Sequence, residues 1–121
     1  MPRIADYTII VDAWAVDAVG DSIEFQVPDN VSVSSRAILG FMLDVNNNGE
    51  LGIKIRLNGV EVWSWHYSDF SRLPVRYFQE VIASNVVKPG TNVFRLTGTS
   101  SPDDKWFAQI SDAVLWIQVD V

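Results

Sequence analysis

Alternation with a period of two dominates this chain and leaves it few folds to choose from. Ile23, Phe25 and Val27 alternate with Glu24 and Gln26. Successive side chains of a strand point to opposite faces, so this stretch reads as a half-buried strand, stopped by Pro28-Asp29-Asn30. Ala37, Leu39, Phe41, Leu43 and Val45 alternate with Ile38, Gly40, Met42 and Asp44. Apolar residues on both faces predict a central strand. Asn46-Asn47-Asn48-Gly49 then turns the chain, and Leu51, Ile53, Ile55 and Leu57 resume the alternation up to Asn58-Gly59.

Asn58-Gly59 is the strongest local signal, because Asn-Gly accepts the positive φ angles of a two-residue hairpin turn. A two-residue turn predicts the pairs Leu57–Val60 and Ile55–Val62 on the core face. On the other face it predicts Arg56 opposite Glu61, Lys54 opposite Trp63 and Gly52 opposite Trp65. Opposite charges and a cation beside an indole are favourable cross-strand neighbours. Further on, Val75 to Ile82 reads as extended and Ser84 to Val87 as a short turn. Lys88-Pro89-Gly90-Thr91-Asn92 reads as a turn, because proline pre-sets φ and glycine supplies a positive one. Val93 to Thr99, Trp106 to Ile110 and Ala113 to Val121 read as strands. Ile4 to Val19 carries both alanines that suit a helix and the strand-forming run Thr8-Ile9-Ile10-Val11, and is read as mostly strand. Short strands between frequent turns predict an all-β fold: an antiparallel β-sandwich, jelly-roll-like, of about eight strands.

At 121 residues the chain is expected to form one domain, 1–121, large enough to stand on a hydrophobic core alone. It has no cysteine, which excludes disulfides, thiolate zinc sites and a cysteine nucleophile. The formal net charge is −6, and the nine Lys and Arg residues are scattered along the sequence. Nothing gathers them into the stripe that phosphate neutralisation needs, so no nucleic-acid partner is expected. Net negative charge also opposes anionic membrane surfaces. No apolar run approaches the ~20 residues that span a bilayer. Met1 to Tyr7 lacks a basic segment followed by an apolar stretch, so no signal peptide is read there.

Two turn-and-strand motifs carry a resemblance. Ile55 to Val62, with Leu57-Asn58-Gly59 at its centre, precedes Val86 to Leu96, with Lys88-Pro89-Gly90-Thr91-Asn92 leading into a strand. Together with the closing Ile110 to Trp116, this resembles the galactose-binding-domain-like β-sandwiches over residues 55–121. The resemblance implies an antiparallel jelly roll. Members of that group often bind carbohydrate, while others bind proteins or lipids or serve as packing domains. The matched positions are structural, so no binding residue carries over.

Trp63-Ser64-Trp65-His66-Tyr67 is the most unusual segment. In the register above, Trp63 and Trp65 lie on the face opposite the core. Exposed there, they would form a platform for stacking on sugar rings; packed against a neighbouring strand or subunit, they would be structural. Asp44, Asn46 and Asn48 followed by Gly49 resemble the first half of a calcium loop. Ile55 stands where the bidentate glutamate belongs, which leaves Asp44 as the one strong charge of the set. His66 is the single histidine; with Ser64, Ser68 and Asp69 it has neither the elbow nor the oxyanion hole of a nucleophilic triad. No carboxylate pair stands out for glycoside hydrolysis. The expected function is therefore a non-catalytic, lectin-like carbohydrate-binding module. Its ligand-binding set is Trp63, Trp65, His66, Tyr67, Lys54, Asp69 and Arg72, with calcium at Asp44, Asn46 and Asn48 as a subsidiary expectation. Weak single sites gain from multivalency, so a homo-oligomer is expected. The alternative is an assembly domain whose aromatic face packs on another protein.

Overall fold

The computed structural model describes residues 2–12, 15–17, 21–46, 51–67, 75–100 and 107–121. Among them are nine strands: β1 (Arg3–Val11), β2 (Ala15–Asp17), β3 (Asp21–Val27), β4 (Ala37–Asn46), β5 (Leu51–Leu57), β6 (Val60–Tyr67), β7 (Arg76–Ile82), β8 (Gly90–Ser100) and β9 (Phe107–Asp120). They form two antiparallel sheets. The first has the order β1-β9-β4-β7, with β2 also paired to β9; the second has the order β3-β8-β5-β6. Every hairpin-scale connection is short, yet sequence neighbours such as β3 and β4 belong to different sheets. This is the crossing-over that makes the sandwich a jelly roll. The expected fold class is the observed one.

The alternation read from the sequence builds the core. Leu39, Phe41 and Leu43 of β4 and Ala113, Leu115, Ile117 and Val119 of β9 point inward from the first sheet. Ile53, Ile55 and Leu57 of β5, Phe94 and Leu96 of β8, and Phe25 and Val27 of β3 meet them from the second. Burying side chains of this size stabilises by about 1.5–3 kcal/mol each, and this apolar layer holds the sheets together. One side of the sandwich is tied by Thr8, whose hydroxyl donates to the Gln26 carbonyl across the gap between β1 and β3 (3.0 Å). The opposite side, between β6 and β7, is filled by aromatic rings described below.

The ambiguous N-terminal segment is strand in its described part, as β1 and β2. The two strands expected at the C-terminus are one strand. Asp112 takes a φ of 50°, and around it the pairing of β9 with β4 shifts between Gly40 and Met42. The bulge lets Ile110 and Ala113, which strict alternation would put on opposite faces, both lie in the core while the strand runs on. The two motifs behind the galactose-binding-like resemblance prove to be one hydrogen-bonded unit. Asn58 (φ 51°) and Gly59 (φ 83°) make the expected hairpin turn. The Asn58 amide nitrogen donates to the Val86 carbonyl (2.8 Å) and to Asn92 Oδ1 (2.7 Å), and Asn58 Oδ1 accepts from the Val93 N–H (2.9 Å). Asn92, 1% exposed, in turn donates to the Lys88 and Gly90 carbonyls and accepts from the Lys88 N–H. The Leu-Asn-Gly hairpin and the Lys-Pro-Gly-x-Asn turn occur together because each satisfies the buried polar groups of the other.

Candidate functional site

The β5–β6 hairpin begins as the sequence predicts and then departs from it. Leu57 pairs with Val60 and Arg56 with Glu61. The next pair is Ile55 with Trp63, not Val62; Val62 is an extra residue bulged out of the ladder. Beyond it Lys54 pairs with Ser64, Ile53 with Trp65, Gly52 with His66 and Leu51 with Tyr67. The expected pairs Ile55–Val62, Lys54–Trp63 and Gly52–Trp65 do not form, and a one-residue shift exchanges faces. Trp63 and Trp65 therefore lie on the core side of the ladder, partly buried, and not on the outer face where the two-residue count put them. Lys54 forms an ion pair with Glu61 (3.6 Å) instead of sitting over an indole.

The physical reason is the gap between β6 and β7, both edge strands. Trp63 packs edge-on against Phe41 (centroids 5.0 Å apart, 77°) and at 5.3 Å from Phe78 of β7. Trp65 lies 6.0 Å from Phe78 and stacks on Trp63 at 6.5 Å. Taking two indoles largely out of water stabilises by about 1.5–3 kcal/mol each for complete burial, whereas a net backbone hydrogen bond contributes about 1 kcal/mol. The ladder gives up one position and the rings close the sandwich.

The same shift gathers polar residues outward. Lys54 and Arg56 of β5, Ser64 and His66 of β6 and Thr97 of β8 border a depression of about 480 Å³ on the outer face of the second sheet. Gly52, Gly98, Ile53 and Trp65 complete its lining. Lys54 is opposite Thr97 on one side and Ser64 on the other, while Gly52 is opposite His66. The absence of a side chain at Gly52, between Lys54 and His66, leaves the hollow. Arg56 Nη1 donates to Thr97 Oγ1 (3.4 Å), and its strand partner on β8 is Arg95, also directed outward. The depression thus offers guanidinium, ammonium, hydroxyl and imidazole groups on a rigid sheet.

Of the residues singled out in the sequence, Lys54, His66 and Trp65 border this depression, and Trp63 belongs to the aromatic seam. Tyr67 ends β6, and its side chain lies outside the described residues, as do Asp69 and Arg72 altogether. Asp44 and Asn46 lie in strand β4, opposite Gln109 and Phe107, and Asp44 is buried. The Asn46 side chain and Asn48 lie outside the described residues, among which no group of three His, Asp or Glu side chains is placed to hold a metal ion. Arg56, Ser64 and Thr97 escaped the sequence reading; the signal available was the outward alternation Gly52-Lys54-Arg56.

A second surface was also missed. The outer face of the first sheet carries Tyr7 and Ile9 of β1, Val114 and Trp116 of β9, Ile38 and Met42 of β4, and Tyr77 and Val81 of β7. Tyr7 (60%), Tyr77 (48%) and Trp116 (38%) are well exposed. Tyr7, Trp116, Ile38 and Val81 form one row across four strands. Gly40 lies beneath two of the rings: a Cβ there would collide with the Tyr77 hydroxyl and come within 2.8 Å of the Trp116 ring. The apolar outer face of β4, expected from a strand buried on both sides, is in fact open to solvent at Ile38 and Met42.

No family model matches the sequence, and no curated protein matches it either. Solved structures do share the fold. Dimeric latent PorU from Porphyromonas gingivalis superimposes with a TM-score of 0.69 at 11% identity, covering 98% of this chain and 13% of PorU. This chain thus spans about one-eighth of that protein. The C-terminal domain of EclA, a sugar-binding protein, aligns with a TM-score of 0.51 at 9% identity over 86% of this chain and 83% of that one. The CBM36-1 domain of a multidomain xylanase from the hindgut metagenome of Trinervitermes trinervoides aligns at 0.49 and 11% identity, over 94% and 96%. At these identities the likeness is one of fold. The shared architecture is the antiparallel jelly-roll sandwich that the hairpin and turn motifs implied.

Proposed function

We propose that this chain is a non-catalytic carbohydrate-binding module whose saccharide lies in the depression on the outer face of the β3-β8-β5-β6 sheet. The observation that supports this is the make-up of that depression. Its volume of about 480 Å³ falls within the range of small-ligand sites. Lys54, Arg56, Ser64, His66 and Thr97 supply hydrogen-bonding groups around glycine-opened floor, which suits a ligand rich in hydroxyls. Strands hold these groups more firmly than loops would. Tyr67, the last residue of β6, and Asp69 and Arg72 beyond it in sequence extend the proposed binding set. The sugar-binding EclA domain shares the fold, which is compatible with this reading and does not by itself identify a ligand.

A glycan array with the purified chain, run with calcium and again with chelator, tests the proposal. The expected result is reproducible binding to one saccharide class, retained in chelator and abolished by Gly52→Val, which projects a side chain into the depression. A blank array under both conditions overturns it. Binding that disappears only in chelator would place the ligand instead with a calcium ion at Asp44, Asn46 and Asn48.

The apolar outer face of the first sheet favours a second reading, self-association. Its exposed side chains amount to on the order of 600 Å², at the upper end of the largest patches found on monomers and approaching the ~800 Å² that each partner buries in a standard interface. The face carries no charge over its central rows, so two copies of a chain with net charge −6 can meet there without opposed like charges. Sedimentation of the wild type and Val81→Lys tests this. A dimer that the substitution converts to a folded monomer supports it; a wild type that is monomeric at about 100 µM, a concentration at which interfaces of this size associate, overturns it.

A further inference from the structure

We infer that the saccharide taken by this depression is anionic, carrying a carboxylate or sulfate group held by Arg56 with Lys54 and Arg95. This rests on the carbohydrate reading above and narrows it to a ligand class. The chain as a whole is acidic, with 15 Asp and Glu against 9 Lys and Arg. The outer face of the second sheet reverses that balance. Its described outward residues include the cations Lys54, Arg56 and Arg95 against the carboxylates Glu61 and Glu24. Glu24 stands on the edge strand opposite Val93, away from the depression.

The arrangement within the cluster is more telling than its count. Arg56 and Arg95 are direct partners on neighbouring strands and point to the same side. Like charges opposite one another in a ladder destabilise a sheet, and among the described residues no carboxylate forms an ion pair with either guanidinium. The side-chain hydrogen bond made by Arg56 is a long one, to the Thr97 hydroxyl (3.4 Å). The Lys54–Glu61 pair is half-exposed at 3.6 Å, a geometry that contributes little and is readily exchanged. An oxyanion at Arg56, with Lys54 and Arg95 as its neighbours on the same face, offsets the Arg56–Arg95 repulsion and meets a planar fork suited to two parallel hydrogen bonds. The hydroxyls of Ser64 and Thr97, which flank Lys54 on either side, then hold the neutral remainder of the sugar.

Titration calorimetry of the intact chain with matched oligosaccharides decides the matter. The pairs are an oligogalacturonate with its methyl ester, and a sulfated chain with its desulfated counterpart. The anionic member is expected to bind at least about tenfold more tightly at low salt, the scale of one charge-assisted contact. That ratio shrinks in 0.5 M salt, where screening acts within a few ångströms. Arg56→Gln narrows it to about twofold, with circular dichroism confirming the fold. Arg36→Gln, which removes a cation elsewhere, leaves it unchanged and separates local charge from net charge. Preference for one of the two pairs identifies carboxylate or sulfate as the source. Equal affinity for anionic and neutral members, or equal narrowing by Arg36→Gln, overturns the inference while leaving carbohydrate binding intact. Inorganic sulfate that binds as tightly as the sulfated saccharide overturns it too, since the sugar would then contribute nothing. Failure of every saccharide, neutral and anionic alike, overturns the carbohydrate reading itself.

Discussion

The two outer faces of the sandwich are built by the same alternation and share one core, yet they display opposite chemistry. Behind Leu39, Phe41 and Leu115 the first sheet shows Tyr7, Ile38, Tyr77, Val81 and Trp116 to solvent. Behind Ile53, Ile55 and Leu96 the second sheet shows Lys54, Arg56, Ser64, His66 and Thr97 around glycine. Inward positions are dictated by packing and are interchangeable within the apolar residues. Outward positions are free of that demand, so their character carries the information about what the domain meets. One face is a broad apolar surface; the other is a polar depression opened by glycine. The fold permits both and requires neither.

The largest perturbation removes what the faces share. Phe41→Ala empties a position that is fully buried and touches Trp63 and Phe78, and is expected to cost about 3–5 kcal/mol in urea unfolding. Both surface properties should then fail together on warming. Separate failure would mean that the sheets fold as independent units. Asn92→Ala divides the faces more selectively. It strips partners from Asn58 and the Lys88 N–H and is expected to cost about 2–3 kcal/mol, because buried donors are left unsatisfied. Hydrogen exchange should quicken first in β5, β6 and β8, with the β1-β9-β4-β7 sheet following only on global unfolding.

Trp63→Ala is expected to cost about 2 kcal/mol, less than a wholly buried ring because the indole is only partly buried. Saccharide affinity should change by less than about twofold, a level set by noise against the 1.4 kcal/mol of a tenfold effect. A tenfold loss in a folded variant would return the indole to a stacking role. Gly40→Ala, on the apolar face, requires the Tyr77 hydroxyl and the Trp116 ring to tilt away. Both are ends of flexible side chains, so a cost of about 1 kcal/mol is expected, visible mainly as altered tryptophan fluorescence. A larger cost would show that the two rings are locked together and that this face is more rigid than its exposure suggests.

Much of the fold was legible because strand alternation and turn chemistry are local. Asn58-Gly59, Pro89-Gly90 and the inward rows of β3, β4 and β5 could each be read from a few neighbouring residues. The candidate site was not, for a reason visible at Val62. The turn fixes the first two pairs of the β5–β6 hairpin, and a simple count from there puts Trp63 and Trp65 outside. What reverses the count is Phe41 and Phe78, which reach the rings from another sheet. Such contacts are long-range in sequence, and no window around Trp63 contains them. Trp116 and Tyr77 were missed differently. An apolar outward row signals either a covered face or a displayed one, and β4 gives the same pattern for both.

The bulge at Val62 also bears on how chains of this kind can differ in length. Glu61 faces Arg56, and Trp63 faces Ile55, whether or not a residue intervenes between them. Loss of Val62 would leave a regular ladder in which Trp63 still closes the seam and Ser64 and His66 still flank the depression. This is a position where inheritance can add or remove a codon without exchanging the faces of the sheet. At Ser64, two residues on, the same one-codon change would turn the indole of Trp65 out and the imidazole of His66 in.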